Sequence, residues 1–295
     1  MRGGYDQVNQ QQGNNFVAPT PILSRSFKIC QCCGINVRIH ILLPVFFVLS
    51  FIFWARMIAE DTQNWYYYVV LILMYNVTLW VVVLIHEFGH AYNGYLIGGN
   101  TDEILLWPLG GLAFTSGPLH VTDESKKRRN NIIISFGGPM THIPWMIVFG
   151  LLLWWNGKSI VHAGIIIDNP FKNRDTWSET IYTPINEWID YNYLLMGFML
   201  NFYLLVINLL LPAFPLDGSR IFMNLLRQKW GYNTCAKIYC GVNGVFGVAF
   251  ILFAYLYLKN GSMLQFAGLW AFFQVHIMVQ HIMQGREHMH PLLVS

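Results

Sequence analysis

Apolar residues in this chain run in long blocks, near 39–58, 66–97, 131–155, 193–213, 242–258 and 263–283. Each block approaches the roughly 20 residues a helix needs to cross a hydrocarbon layer. Backbone groups find no water inside that layer, so each block predicts a helix whose hydrogen bonds close on themselves. The fold class expected is therefore an all-α polytopic membrane protein with six transmembrane helices. The second block exceeds a simple span and predicts a helix that projects out of the hydrocarbon. One membrane domain is expected over 37–285, between a disordered N-terminal segment, 1–36, and a short tail, 286–295. Within the first segment, Gln7 to Asn15 is rich in Gln and Asn, a composition that builds no packed core. No loop reaches the roughly 50 residues of a small domain, and no internal repeat suggests inverted halves.

Charge gives the six blocks a direction. Only 11% of the 295 residues are charged, against 55% hydrophobic, and mean hydropathy is +0.41. Thirteen of the 18 basic residues fall in 1–38, 98–130, 214–241 and the C-terminal tail, including the run Lys126, Lys127, Arg128, Arg129. Basic loops stay on the cytosolic side, so both termini are expected in the cytosol or its equivalent, with 156–192 on the far side. Trp65, Tyr66, Tyr67, Trp154, Trp155 and Tyr193 gather at the far boundary as interfacial anchors do. The lipid bilayer is the first partner implied. The membrane expected is an endomembrane, of ER or Golgi type, with an organellar membrane as the alternative. No basic stripe interleaved with aromatics suggests nucleic acid. Five cysteines make no disulfide framework; Cys30, Cys32 and Cys33 read as juxtamembrane thiols, free or acylated. No cleavable signal is apparent, so the first block is expected to anchor as well as target.

The second block ends in chemistry. His86-Glu87-Phe88-Gly89-His90 is an H-E-x-x-H pattern, and the four-residue spacing sets both imidazoles on one helical face, able to grip one metal ion. Glu87 beside them can take a proton from water activated by that ion. Ionisable residues in a membrane helix are expensive and need a partner or a job; the plainer reading is a satisfied polar cluster. A catalytic zinc has three protein ligands and an open position, and Asp217 is the candidate third. It follows Pro212 and Pro215 and precedes Gly218, a broken helix of the kind tolerated where it lines a cavity. Blocks two and four both run inward, so His86, His90 and Asp217 would share one depth. Capping of the next helix is the other reading of Asp217.

These residues resemble the site-2 protease family of intramembrane zinc metalloproteases. His86 to His90 and Pro212-Ala213-Phe214-Pro215-Leu216-Asp217-Gly218 look like its two site motifs. Trp107 to Ala113, with Gly110 and Gly111, is similar to its glycine-containing segment; Phe136-Gly137-Gly138-Pro139 to its Gly-Pro motif; and Gly34 to His40 to its lead into the first span. The resemblance implies one Zn2+ per chain on His86, His90 and Asp217, with Glu87 as general base. It also implies a membrane-protein substrate, a transmembrane helix locally unwound before hydrolysis. Residues 102–116 would form a small membrane-dipping β-hairpin between helices 2 and 3, whose free edge holds extended substrate. Two positions depart from the pattern. Three residues separate Asn208 from Pro212 where two are usual, turning the helix face by about 100°. His142 stands where an asparagine is common; it could donate to a developing oxyanion or touch the metal. Asn208, His142, Gly110 and Gly111 are thus candidate oxyanion or substrate-binding residues. An inactive relative that binds and stabilises partner membrane proteins is the alternative. A zinc transporter would need a second ligand set, and none is visible.

Overall fold

The computed structural model describes residues 25–58, 65–108, 110–155, 185–211, 216–257 and 262–286. In chain order it has β1 (Ser26–Cys32), β2 (Ile35–His40), α1 (Leu42–Ile58), α2 (Trp65–Leu96), β3 (Asn100–Trp107) and β4 (Gly110–Ser116). There follow α3 (Glu124–Met140), α4 (His142–Trp155), α5 (Ile185–Leu210), α6 (Asp217–Leu226), α7 (Tyr232–Tyr257) and α8 (Ser262–Met283). The Gln/Asn-rich stretch, most of the long loop 156–192, the helix break at 212–215 and most of the tail lie outside the described residues.

Among the described residues, four helical stretches are long and apolar enough to cross a membrane: Ile72–Leu96, Glu124–Trp155, Tyr193–Leu210 and Tyr232–Leu256. They fall on the second to fifth apolar blocks, and α1 and α8 fall on the first and sixth. The third block is not one helix. Pro139 has no N–H to donate, α3 ends at Met140, and the N–H of Thr141 bonds to the Gly138 carbonyl at 3.0 Å before α4 restarts at His142.

The all-α expectation needs a correction. The described residues include a four-stranded sheet in the order β1-β2-β3-β4, with β2 and β3 parallel and the two outer pairs antiparallel. β3 and β4 are the segment expected as a lone hairpin; they recruit Ser26–His40, part of which had been expected to be disordered. The missed signal is a period of two, with Ile35, Val37 and Ile39 alternating with Asn36 and Arg38. Cys33 and Gly34, at φ 52° and 84°, supply the left-handed pair that a two-residue hairpin turn needs. The sheet is held to the helices by a core of Leu43, Val83, Ile104 and Leu106, against which Ile39, Phe88 and Ala113 pack.

Three close approaches set the position of the site. A Cβ at Gly89 would meet the Gly137 carbonyl oxygen at 2.3 Å, and one at Gly137 would meet the Gly89 carbonyl oxygen at 2.3 Å. No side chain fits between α2 and α3 here, and helices in lipid use such small residues to bring backbones together. A Cβ at Gly218 would stand 2.6 Å from the Leu211 carbonyl oxygen, so the first turn of α6 rests on the end of α5. At its other end α6 is tied to α3: the Arg227 guanidinium lies 3.3 Å from Glu124 and 4.2 Å from the centre of the Tyr232 ring.

Candidate metal centre

The α2 helix presents His86, Glu87 and His90 within its last three turns, and α6 presents Asp217 as its first residue. All four are buried, with 5–6% of their surface exposed. The Nε2 atoms of His86 and His90 lie 3.1 Å apart. Each faces a different oxygen of one carboxylate: His86 is 3.0 Å from Asp217 Oδ2, and His90 is 3.2 Å from Asp217 Oδ1. The residue in capping position is Leu216, and no side chain caps α6. The Asp217 carboxylate turns to the histidines instead.

The donor set fits a zinc ion. A tetrahedral site with bonds of about 2.0–2.1 Å has ligand–ligand separations of about 3.3 Å, and the separations above, two of them to different oxygens of Asp217, run from 3.0 to 3.2 Å. Room for an ion depends on Gly138 in α3. A Cβ there would stand 2.4 Å from His90 Nε2 and 2.5 and 2.6 Å from His86 Nε2 and Cε1, so any side chain at this position would push both rings off the Asp217 carboxylate. The far nitrogens are also engaged. His90 Nδ1 lies 2.7 Å from the Ile134 carbonyl. A carbonyl only accepts, so Nδ1 carries the hydrogen and Nε2 keeps its lone pair for a metal. The Gly138 N–H is 3.3 Å from the same Nδ1, a longer approach that this assignment makes incidental.

Glu87 is covered by β4. A Cβ at Gly111 would meet Glu87 Cγ at 2.3 Å and Oε1 at 2.5 Å, so the strand's bare backbone lies directly on the carboxylate. Gly110, one residue earlier, has φ 137°, a conformation that favours glycine. Asn208 is half-buried in the last turn of α5. The His142 ring approaches the site from behind: its Nε2 is 3.0 Å from His86 Nδ1, and its Nδ1 is 3.0 Å from Asn201 Oδ1. Sequence reasoning singled out neither Asn201 nor the Gly89–Gly137 crossing. A lone asparagine in an apolar helix has no spacing to announce it. The paired glycines were visible as motifs, but their packing role was not.

The chain is similar to known proteins. The model of Peptidase family M50 matches residues 74–254, which run from within α2 to nearly the end of α7 and include all four site residues. The chain is 24% identical over 240 residues to zinc metalloprotease MJ0392 of Methanocaldococcus jannaschii, covering 79% of this chain and 55% of that protein. It is 27% identical over 162 residues to Rip3 of Mycobacterium tuberculosis, covering 55% of this chain and 33% of that one. The chain thus spans between a third and about half the length of these curated relatives. Among solved structures, the site-2 protease from Methanocaldococcus jannaschii has the same fold, with a TM-score of 0.50 at 23% identity, covering 86% of this chain and 94% of that one. The family match covers residues 74–254, more than half of the chain, and includes His86, Glu87, His90 and Asp217, so the chain belongs to peptidase family M50, the site-2 protease family.

Proposed function

We propose that this chain is an intramembrane zinc metalloendopeptidase that hydrolyses a peptide bond within or near a transmembrane segment of a membrane-protein substrate. The observation that supports this most is the meeting of His86, His90 and Asp217 with Glu87 on apolar helices, under a strand whose outer edge has no strand partner among the described residues. Zinc, when bound, lowers the pKa of water toward about 7 and polarises a carbonyl. The chain's residues do the rest. Glu87 accepts the proton of the attacking water and returns it to the leaving amine, giving one new carboxylate and one new amine terminus. The edge of β4, at Gly110 and Gly111, receives the unwound substrate as an added strand. Asn208, at the end of α5, is the candidate donor to the developing oxyanion. The sheet dips into the bilayer from the cytosolic side, six helices cross it, and both termini face the cytosol of an endomembrane.

The test uses purified full-length chain in liposomes with a tagged single-span protein whose helix contains glycine and proline. Zinc-dependent cleavage inside the span, absent in Glu87→Gln, is expected. Wild-type protein that is folded and zinc-loaded, yet releases no fragment, would overturn the proposal in favour of an inactive partner-binding role.

A further inference from the structure

Behind the metal centre lies a directed chain of hydrogen bonds. His86 Nδ1 is 3.0 Å from His142 Nε2, His142 Nδ1 is 3.0 Å from Asn201 Oδ1, and Asn201 Nδ2 is 2.8 Å from the Gly197 carbonyl. His142 and Asn201 are buried, at 1% and 0% exposure. The order of donors follows from the far end. A carbonyl only accepts, so the Asn201 amide NH2 points at Gly197 and its oxygen faces His142. That oxygen accepts from His142 Nδ1–H, which leaves His142 Nε2 to accept from His86 Nδ1–H. His86 Nε2 is then left with its lone pair on the side of Asp217 and His90. Every tautomer in the relay is set, and set for metal binding, before any ion arrives.

We infer that His142 and Asn201 are positioning residues that hold the metal ligand His86 in its binding tautomer and orientation, and so set the affinity of the site for zinc. The inference rests on the zinc reading above and assigns His142 a place behind the ligand, with both ring nitrogens occupied, instead of a place at the oxyanion. It also links the two halves of the site. Asn201 and Asn208 are seven residues apart on α5, two turns along one face, and α5 leads into Asp217. The relay thus ties the helix that precedes Asp217 to the helix that carries the two histidines. Partners of this kind typically set metal affinity by 10- to 100-fold.

The test is zinc affinity of the detergent-purified full chain, by competition with a chromophoric chelator, together with the visible spectrum of the cobalt-substituted protein. His142→Gln puts an oxygen where Nε2 stood and can still accept from His86; His142→Asn stops one ring width short and keeps only the link to Asn201. The glutamine variant should bind within about threefold of wild type, while His142→Asn and His142→Leu bind about 10- to 100-fold more weakly with shifted cobalt bands. Asn201→Leu, which leaves the ring in place, should weaken zinc in the same direction and serves if a His142 variant does not fold. Wild-type affinity in His142→Asn or Asn201→Leu, or equal losses in the glutamine and leucine variants, would overturn the relay. A wild-type chain that binds no zinc would instead overturn the zinc reading itself.

Discussion

Gly138→Ala adds one methyl group at the point where the two imidazoles converge. Its Cβ would stand 2.4 Å from His90 Nε2 and 2.5 Å from His86 Nε2. Favourable contact between such atoms begins near ~3.5 Å, so each ring must retreat by about 1 Å. Neither can do so freely. His90 is held from behind by the Ile134 carbonyl at 2.7 Å, and His86 by His142 at 3.0 Å. Metal–ligand distances tolerate about 0.2 Å, and the displacement is about five times that. Zinc affinity should therefore fall by at least about 100-fold, or ~2.7 kcal/mol. Crowding of the helix crossing adds an overpacking cost of about 1–3 kcal/mol to the fold, so melting of the metal-free protein is followed in parallel. Chelator competition gives the affinity and elemental analysis the stoichiometry. Gly117→Ala is the control, because its nearest neighbours are Asn130 atoms at 3.8 and 3.9 Å. Zinc binding by Gly138→Ala within threefold of wild type would refute the reasoning, since it would mean that the two rings do not depend on the bare backbone of Gly138 for their positions.

Glu87→Gln should retain zinc and lose about 10²- to 10⁴-fold in cleavage rate; retained activity would remove Glu87 from the role of base. Asp217→Asn should lose or greatly weaken zinc by elemental analysis, because it takes the only carboxylate from the three-residue ligand set. Gly111→Ala puts a methyl 2.3 Å from Glu87 Cγ, so single-turnover cleavage should slow while zinc content stays at wild-type level. Exhaustive chelation should abolish cleavage, and zinc should restore it where magnesium does not, as expected for a nitrogen-rich donor set.

Much of the centre was legible from spacing alone. His86 and His90 four apart on a helix must share a face, and a charge pattern that runs the second and fourth blocks the same way predicts a similar depth for Asp217. The sheet was less legible for a physical reason. The parallel pairing of Asn36–Ile39 with Glu103–Leu106 joins strands more than 60 residues apart, and pairing over such a distance depends on where α1 and α2 carry the chain. A strand of six residues next to a long apolar block is also easily read as the block's own lead-in. His142 shows a different limit. Its identity as a departure from the family pattern was visible, but an imidazole offers two nitrogens on opposite sides, and only the positions of His86 and Asn201 decide what each one does.

The glycines join these observations into one argument. Gly89 and Gly137 let α2 and α3 touch, Gly138 leaves room between two imidazoles, Gly111 lays bare backbone on Glu87, and Gly218 seats the turn that presents Asp217. In each case a hydrogen stands where a methyl would collide with a site residue, with the backbone that presents one, or with the facing helix. In a lipid environment apolar side chains gain little by packing against one another rather than against lipid, so close backbone approach is a principal means of bringing polar groups on separate helices within bonding distance. The polar residues of this centre supply its chemistry, and the glycines supply its dimensions. A substitution at Gly89 or Gly137 should therefore act on zinc affinity without touching a ligand, by widening the α2–α3 crossing that sets the distance from Gly138 to His86 and His90.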